Sequence, residues 1–231
     1  MEAALAELER VQTRILERIS KLELSHLPQN ADPLSSSFPL TNGDASSDVQ
    51  AHLSNILRSN GVNDFIFKRV ASDYYDWPLE SRRDALDAAS VHHLCKSIVL
   101  VNTQAPANVI DCSDRNNSKY YVVVVQYTAR FNAETVKNFL YGLNNGKISK
   151  KKFNLRLAPE ETSIKLTGYE HNAVTCIGMQ TDIPVILDEA IVNLNPDFFW
   201  LGGGEVDLKL GIRTSEFINF VKPFIVSCSG T

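Results

Sequence analysis

Cys95-Lys96-Ser97-Ile98-Val99-Leu100-Val101 is the stretch on which the reading of this chain turns. Its aliphatic, β-branched run predicts a strand from Lys96 to Asn102, and the valine-rich segment Tyr120 to Tyr127 predicts another. Lys96 opens the first strand beside surface that should be buried, where an unpaired ammonium is costly. Such a lysine either extends its head group to solvent or faces an anionic partner. From spacing alone it reads first as an edge lysine that discourages further strand pairing.

Working outward, Asp48 caps a helix expected through Asn60, with Leu53, Ile56 and Leu57 inward and Gly61 as its stop. A strand is expected over Asp64 to Val70, a charged helix over Leu79 to Ala89, and a helix capped by Asn132 over Ala133 to Leu143. Short strands follow at Asn154 to Leu157, Pro184 to Leu187, Phe198 to Leu201 and Asp207 to Ile212. A helical turn runs from Pro159 toward Leu166, and a last helix from Thr214 through Phe220. Short strands with interspersed helices predict an α+β fold.

Upstream, Met1, Leu8, Ile15 and Leu22 share one heptad position, and Leu5, Gln12 and Ile19 the other core position. This helix, over residues 1–27, either folds back on its own domain or forms a coiled coil with a second copy or a partner protein. Residues 28–47, rich in Ser, Pro, Asn and Asp, predict a flexible linker, which leaves 48–231 as the main domain.

At 231 residues and 44% hydrophobic content the chain can bury a full core. A net charge of −4 argues against a generally basic nucleic-acid binder, so any RNA contact must be local. Cys95, Cys112, Cys176 and Cys228 form no C-x-x-C pair, which fits reduced thiols in a cytosolic or nuclear compartment, with the cytoplasm the expected location. No apolar run approaches the ~20 residues that span a bilayer, and no membrane contact is expected.

Two glycine-bearing segments complete the pattern. One is Thr167-Gly168-Tyr169-Glu170-His171-Asn172-Ala173-Val174-Thr175-Cys176-Ile177-Gly178, followed by Pro184 to Asp188; the other is Phe199-Trp200-Leu201-Gly202-Gly203-Gly204. Taken alone, the first is a strand connection needing positive φ, and the second a tight turn. Together with Cys95-Lys96-Ser97-Ile98-Val99, in this order and spacing, they resemble the YbaK family of aminoacyl-tRNA deacylases, relatives of the editing domain of prolyl-tRNA synthetases. The resemblance spans roughly residues 50 to 222.

The resemblance implies a compact, barrel-like mixed sheet flanked by helices, and a trans-acting hydrolase that deacylates mischarged tRNA. The substrate it implies is tRNA for proline carrying alanine or another small amino acid, with no metal and no organic cofactor. Lys96 would hold the 3′ acceptor end and support ester hydrolysis. The loop from Gly168 would close over the aminoacyl group, with Asn172 and Cys176 at the family's Gly and Pro positions. Tyr169, His171, Ala173, Val174 and Thr175 would line the substrate loop. Gly202, Gly203, Gly204 and Asp207 would border the nucleotide.

Other chemistries compete for the same residues. His171 and Cys176 suggest a base and nucleophile, although a packed thiol and a loop histidine explain them more simply. His92, His93 and Cys95 lack the second ligand pair that a metal site needs. Lys147, Lys150, Lys151 and Lys152 are either a solvated run or a grip on acceptor-stem phosphates. The rival to an enzyme is an inactive binding or scaffold protein that associates with an aminoacyl-tRNA synthetase, for which the heptad helix would be the docking element.

Overall fold

The computed structural model describes residues 47–230, so the expected heptad helix and the linker up to residue 46 lie outside the described residues. In chain order the first elements are α1 (Asp48–Ser59), β1 (Phe65–Arg69), α2 (Leu79–Leu86), β2 (Cys95–Asn102) and β3 (Tyr120–Gln126). Next come β4 (Arg130–Phe131), α3 (Ala133–Leu143), β5 (Leu155–Leu157), α4 (Glu160–Thr167) and β6 (Val185–Asp188). The rest are α5 (Glu189–Val192), β7 (Phe199–Gly202), β8 (Leu208–Ile212), α6 (Thr214–Val221), β9 (Phe224–Val226) and β10 (Ser229–Gly230).

β3 is the centre of a five-stranded sheet ordered β5-β2-β3-β6-β9. It runs antiparallel to β2, with Lys96 opposite Val125, and parallel to β6, with Val122 opposite Val185. A strand covered on both faces reads as a continuous apolar run, and Val122 to Val125 are accordingly all fully buried. Alternate residues serve two cores: Val99, Val122, Val124 and Leu187 face one, while Leu100, Val123, Val125 and Ile186 face the other. α3 covers the second core with Val136 and Leu140, and its Phe139 ring packs on Phe224 of β9 at 5.5 Å. Each such fully buried aliphatic side chain is worth roughly 1.5–3 kcal/mol of transfer free energy.

The expected barrel does not form. β1, β8 and β7 make a separate three-stranded sheet, and β4 and β10 a two-stranded one. The five-stranded sheet ends in two free edges, β5 and β9, each three residues long. Leu94, just before β2, makes one isolated parallel bridge to Trp200 of β7, from which no ladder extends. Closure needs continuous pairing around the ring. The mixed sheet is therefore open.

Local signals account for most element ends. Ser47, rather than Asp48, caps α1 by accepting from Gln50 N at 3.1 Å, and Asp48 is the first helical residue. Asn132 caps α3 by accepting from Glu134 N at 3.0 Å. α2 stops at Leu86, short of the expected Ala89, because Asp87 turns left-handed at φ 54°. β4, β9 and β10 are too short to signal themselves by periodicity.

Candidate active site

β2 loses its outer neighbour at Val99. β5 pairs with it only over Leu100 to Asn102, and Ala158 N closes that ladder by donating to Val99 O at 2.9 Å. On the other side Tyr127 N donates to Leu94 O and Asn102 N to Lys119 O, so the even-numbered residues of β2 turn their amides to β3. Ser97 therefore turns its backbone N–H and C=O to the open edge. A cleft of about 460 Å³ lies along this edge. Lys96, Tyr75, Tyr127, His171, Asn172 and Gly202 line it, and Ile98, Leu157, Ala158 and Ile164 add apolar surface.

Lys96 is half-buried and makes no hydrogen bond or ion pair among the described residues. Its Nζ stands 5.4 Å from the centroid of the Tyr127 ring, whose face attracts a cation without neutralising it. The positive charge thus remains available to a ligand in the cleft.

The loop opposite is fixed from several sides. Gly168 ends α4 at φ +81°, a conformation that glycine adopts without strain. Thr167 Oγ1 accepts from Tyr169 N at 3.1 Å, and the Tyr169 hydroxyl donates to Ile177 O at 2.7 Å, drawing the two ends of the loop together. Burial pushes that hydroxyl up to about 12, so it stays protonated. Asn172 sits at φ 65°, tolerable for asparagine, and its carbonyl accepts from the Tyr75 hydroxyl at 2.5 Å. Ala173 O accepts from Gly204 N at 3.1 Å.

Behind Tyr75 lies a residue that the sequence does not single out. Lys209 of β8 is 4% exposed, and its ammonium donates to Tyr75 Oη at 2.8 Å and to Val206 O at 2.7 Å. It also lies 4.5 Å from the Tyr75 ring centroid. Burial, with Arg82 acting in the same direction and Asp207 opposing, lowers its pKa to about 8. Tyr75 and Tyr127 are further cleft residues absent from the sequence-based expectation. The signal available was the aromatic cluster Tyr74-Tyr75-Asp76-Trp77, and for Lys209 the same lysine-within-an-apolar-run pattern that singles out Lys96.

The structure brings Lys96, His171, Asn172, Val174 and Gly202 to one cleft. Gly202 has to be glycine there, since a Cβ would stand 2.5 Å from Val174 O. Gly168, Tyr169 and buried Ala173 and Thr175 hold the loop from behind. Cys176 is buried and borders a different groove, beside Ile177 and Gly178. Its thiol is pushed up to about 12 by burial, and it does not share a cavity with His171. Gly203 N donates to Leu208 O at 2.9 Å, and a Cβ on Gly204 would strike Val49 of α1 at 2.7 Å, so both act in packing. Asp207 and Glu205 are each bonded by Arg69 at 2.7 Å.

The lysine cluster lies elsewhere on the sheet. Lys150–Lys152 form a 3-10 turn whose Lys152 carbonyl accepts from Asn102 Nδ2 at 2.9 Å, at the far end of β2 from Lys96. That separation is roughly 20 Å at about 3.4 Å per residue. Lys150 pairs with Glu134 at 3.1 Å, whereas Lys147, Lys151 and Lys152 are exposed without an ion pair among the described residues. His93 uses both ring nitrogens, toward Ser90 Oγ at 2.8 Å and Pro196 O at 3.3 Å.

Residues 83–220 match the family model of the aminoacyl-tRNA editing domain. Among solved structures, a candidate trans-editing enzyme for prolyl tRNA synthetase superposes with a TM-score of 0.62 at 16% identity, covering 81% of this chain and 100% of that one. The hypothetical protein APE2540 superposes with a TM-score of 0.55 at 17% identity, covering 75% of this chain and 97% of that one. A scaffold used for epitope backbone grafting gives 0.60 at 14% identity over 80% of this chain and 99% of that one. At these identities the likeness is one of fold. No curated protein matches the sequence. Among the described residues no helix is long and apolar enough to cross a membrane.

Proposed function

This chain belongs to the aminoacyl-tRNA editing domain family, and from that premise we propose that it is a trans-acting deacylase whose reaction takes place in the Lys96 cleft. The observation that carries this reading is the half-buried Lys96 ammonium, unpaired among the described residues, on a strand edge where the Ser97 amide likewise has no partner among them. The ammonium pairs with the phosphate or ribose of the acceptor end, and charge-assisted contacts of this kind are the stronger ones. The Ser97 amide and those of the 171–174 loop other than Ala173, whose N–H is bonded to Glu170 O, are the donors available to a developing oxyanion.

Water is the nucleophile in this account. Its oxygen adds to the ester carbonyl carbon, the bond to the ribose oxygen breaks, and a proton from the water ends on the ribose hydroxyl. A protein thiol is poorly suited to that role: Cys176 lies outside the cleft, and a thiol near 12 is only about one part in 10⁵ thiolate at neutral pH. Cys95 is buried, with its pKa raised well above the ordinary thiol value.

For the substrate we propose tRNA for proline carrying alanine or another small amino acid. Support comes from the segment resemblance and from the fold shared with the candidate trans-editing enzyme for prolyl tRNA synthetase. Editing is the task for which such a site is needed, because size-based binding separates one methylene by only ~1–3 kcal/mol. In this reading Lys147, Lys151 and Lys152 hold acceptor-stem phosphates outside the cleft, in the cytoplasm, and residues 1–27 contact a synthetase or a second copy.

The test is deacylation of tRNA for proline charged with Ala, Cys, Ser or Pro. Hydrolysis of a mischarged species with Pro-tRNA spared supports the proposal. A folded protein that binds these tRNAs and hydrolyses none is instead the scaffold.

A further inference from the structure

An ammonium that is almost fully buried without a bonded carboxylate calls for an explanation, since an aliphatic side chain of similar length would avoid its desolvation. Lys209 is in that position. Its hydrogen bonds go to a phenol and a carbonyl, Tyr75 Oη and Val206 O, and its charge rests on the faces of Tyr75 at 4.5 Å and Tyr74 at 5.2 Å. Asp207, the acid that acts on it, has its carboxylate engaged by Arg69. Beside its bond to Val206 O, the cation has one directional consequence for the cleft. By occupying the lone pair of Tyr75 Oη it directs the phenolic proton outward to Asn172 O, 2.5 Å away.

We infer that Lys209 is a positioning residue for the cleft, which through the Tyr75 hydroxyl fixes the Asn172 carbonyl and with it the loop that faces Lys96. Three elements far apart in sequence are joined by this chain: β8, the turn after β1, and the substrate loop. A packed hydrocarbon could replace Lys209 in volume but could not orient a hydroxyl. Its effect on rate rests on the reading of the cleft as a substrate site; its effect on the loop does not.

Titration offers a second handle. The groups that face Lys209 are Tyr74 and Tyr75, Tyr127 and Cys95, which line the same cavity, Asp207, which favours its charge, and Arg82, which opposes it. With a pKa near 8 it is charged at neutral pH and largely neutral at pH 9. The neutral amine keeps two N–H groups but loses the charge-assisted strength of the bond to Tyr75.

Amide hydrogen exchange tests this without substrate. Ala173 N bonds to Glu170 O at 3.0 Å and Gly204 N to Ala173 O, so their protection reports how firmly the loop is held. Lys209→Met and Tyr75→Phe should each lower that protection roughly tenfold at pH 7, the equivalent of one net hydrogen bond, and leave β3 amides unchanged. After correction for base catalysis, the wild type should lose part of this protection between pH 7 and pH 9, and Lys209→Met should not. Unchanged protection in Tyr75→Phe, which keeps the ring and its packing, would overturn the inference, and this variant decides the matter if Lys209→Met fails to fold. Absence of hydrolysis by the wild type would sink the deacylase reading and leave the exchange result standing.

Discussion

The Lys96 ammonium stands 5.4 Å from the centroid of the Tyr127 ring, with no carboxylate among the described residues bonded to it. An aromatic face holds a cation in place while leaving its charge for a ligand, which a carboxylate would not do. Replacing Tyr127 by Leu should remove the ring and lower kcat/KM for deacylation by roughly 3- to 30-fold, from an interaction of about 0.5–2 kcal/mol. Tyr127→Phe keeps the ring and should stay within about twofold of wild type. Equal losses in both variants would show that the hydroxyl, rather than the face, matters.

Gly202 lines the cleft at a point where no side chain fits. A methyl group there would meet the Val174 carbonyl at 2.5 Å, and backbone cannot swing away as a side-chain end can. Gly202→Ala should cost about 1–3 kcal/mol by urea unfolding and displace the loop. Its loss of deacylation rate should exceed that of an equally destabilising core substitution such as Val136→Ala, far from the cleft.

Cys176 separates two mechanisms. If water attacks the ester, Cys176→Ala should retain hydrolysis within about threefold and cost about 1 kcal/mol in stability as a small core truncation. The four buried thiols should resist alkylation in the native protein and react on unfolding. Loss of all turnover in a folded Cys176→Ala protein would make the thiol the nucleophile.

The lysine turn should act through salt. Removing Lys151 or Lys152, exposed and unpaired, should weaken tRNA binding at low salt. The slope of log affinity against log salt should fall by about one for each phosphate that is no longer neutralised. Lys150 is already paired with Glu134 and should matter less. Filter binding at several ionic strengths distinguishes these variants. Equal slopes throughout would assign the turn to ordinary solvated surface.

Lys209 should leave a signature in stability. Its folded pKa is lowered from 10.5 to about 8, so below pH 8 both folded and unfolded chains are protonated and the burial penalty is fully present. Between about 8 and 10.5 the unfolded chain binds a proton that the folded one has released, so stability rises with pH. Buried tyrosines such as Tyr74 and Tyr121, with pKa values raised by burial, act in the opposite direction and only above about 10, where their unfolded forms ionise and favour unfolding. The difference between wild type and Lys209→Met should therefore be read over pH 8 to 10. A flat difference would contradict a buried ammonium.

Much of the fold is legible in the sequence for local reasons. Asn132 signals its helix because its side chain bonds the backbone two residues on, and Val122 to Val125 signal a doubly covered strand because every position is apolar. The barrel is not legible locally, because closure depends on whether β2 and β7 pair beyond Leu94 and Trp200, a question of long-range register. Lys209 is hidden for a related reason. In Leu208-Lys209-Leu210 an alternating strand puts its lysine toward solvent, but Tyr74 and Tyr75 cover that face. Cys176 follows a loop that reads as surface, yet Cys176 and Ile177 sink into the first core.

The most direct measurement is the rate of alanine release from Ala-charged tRNA for proline by wild type and by Lys96→Ala, at matched concentration and with folding verified by circular dichroism. Electrostatic support of the developing charge predicts a fall of at least about 10²-fold in Lys96→Ala. Hydrolysis by both proteins at the same rate would contradict the placement of the reaction at Lys96.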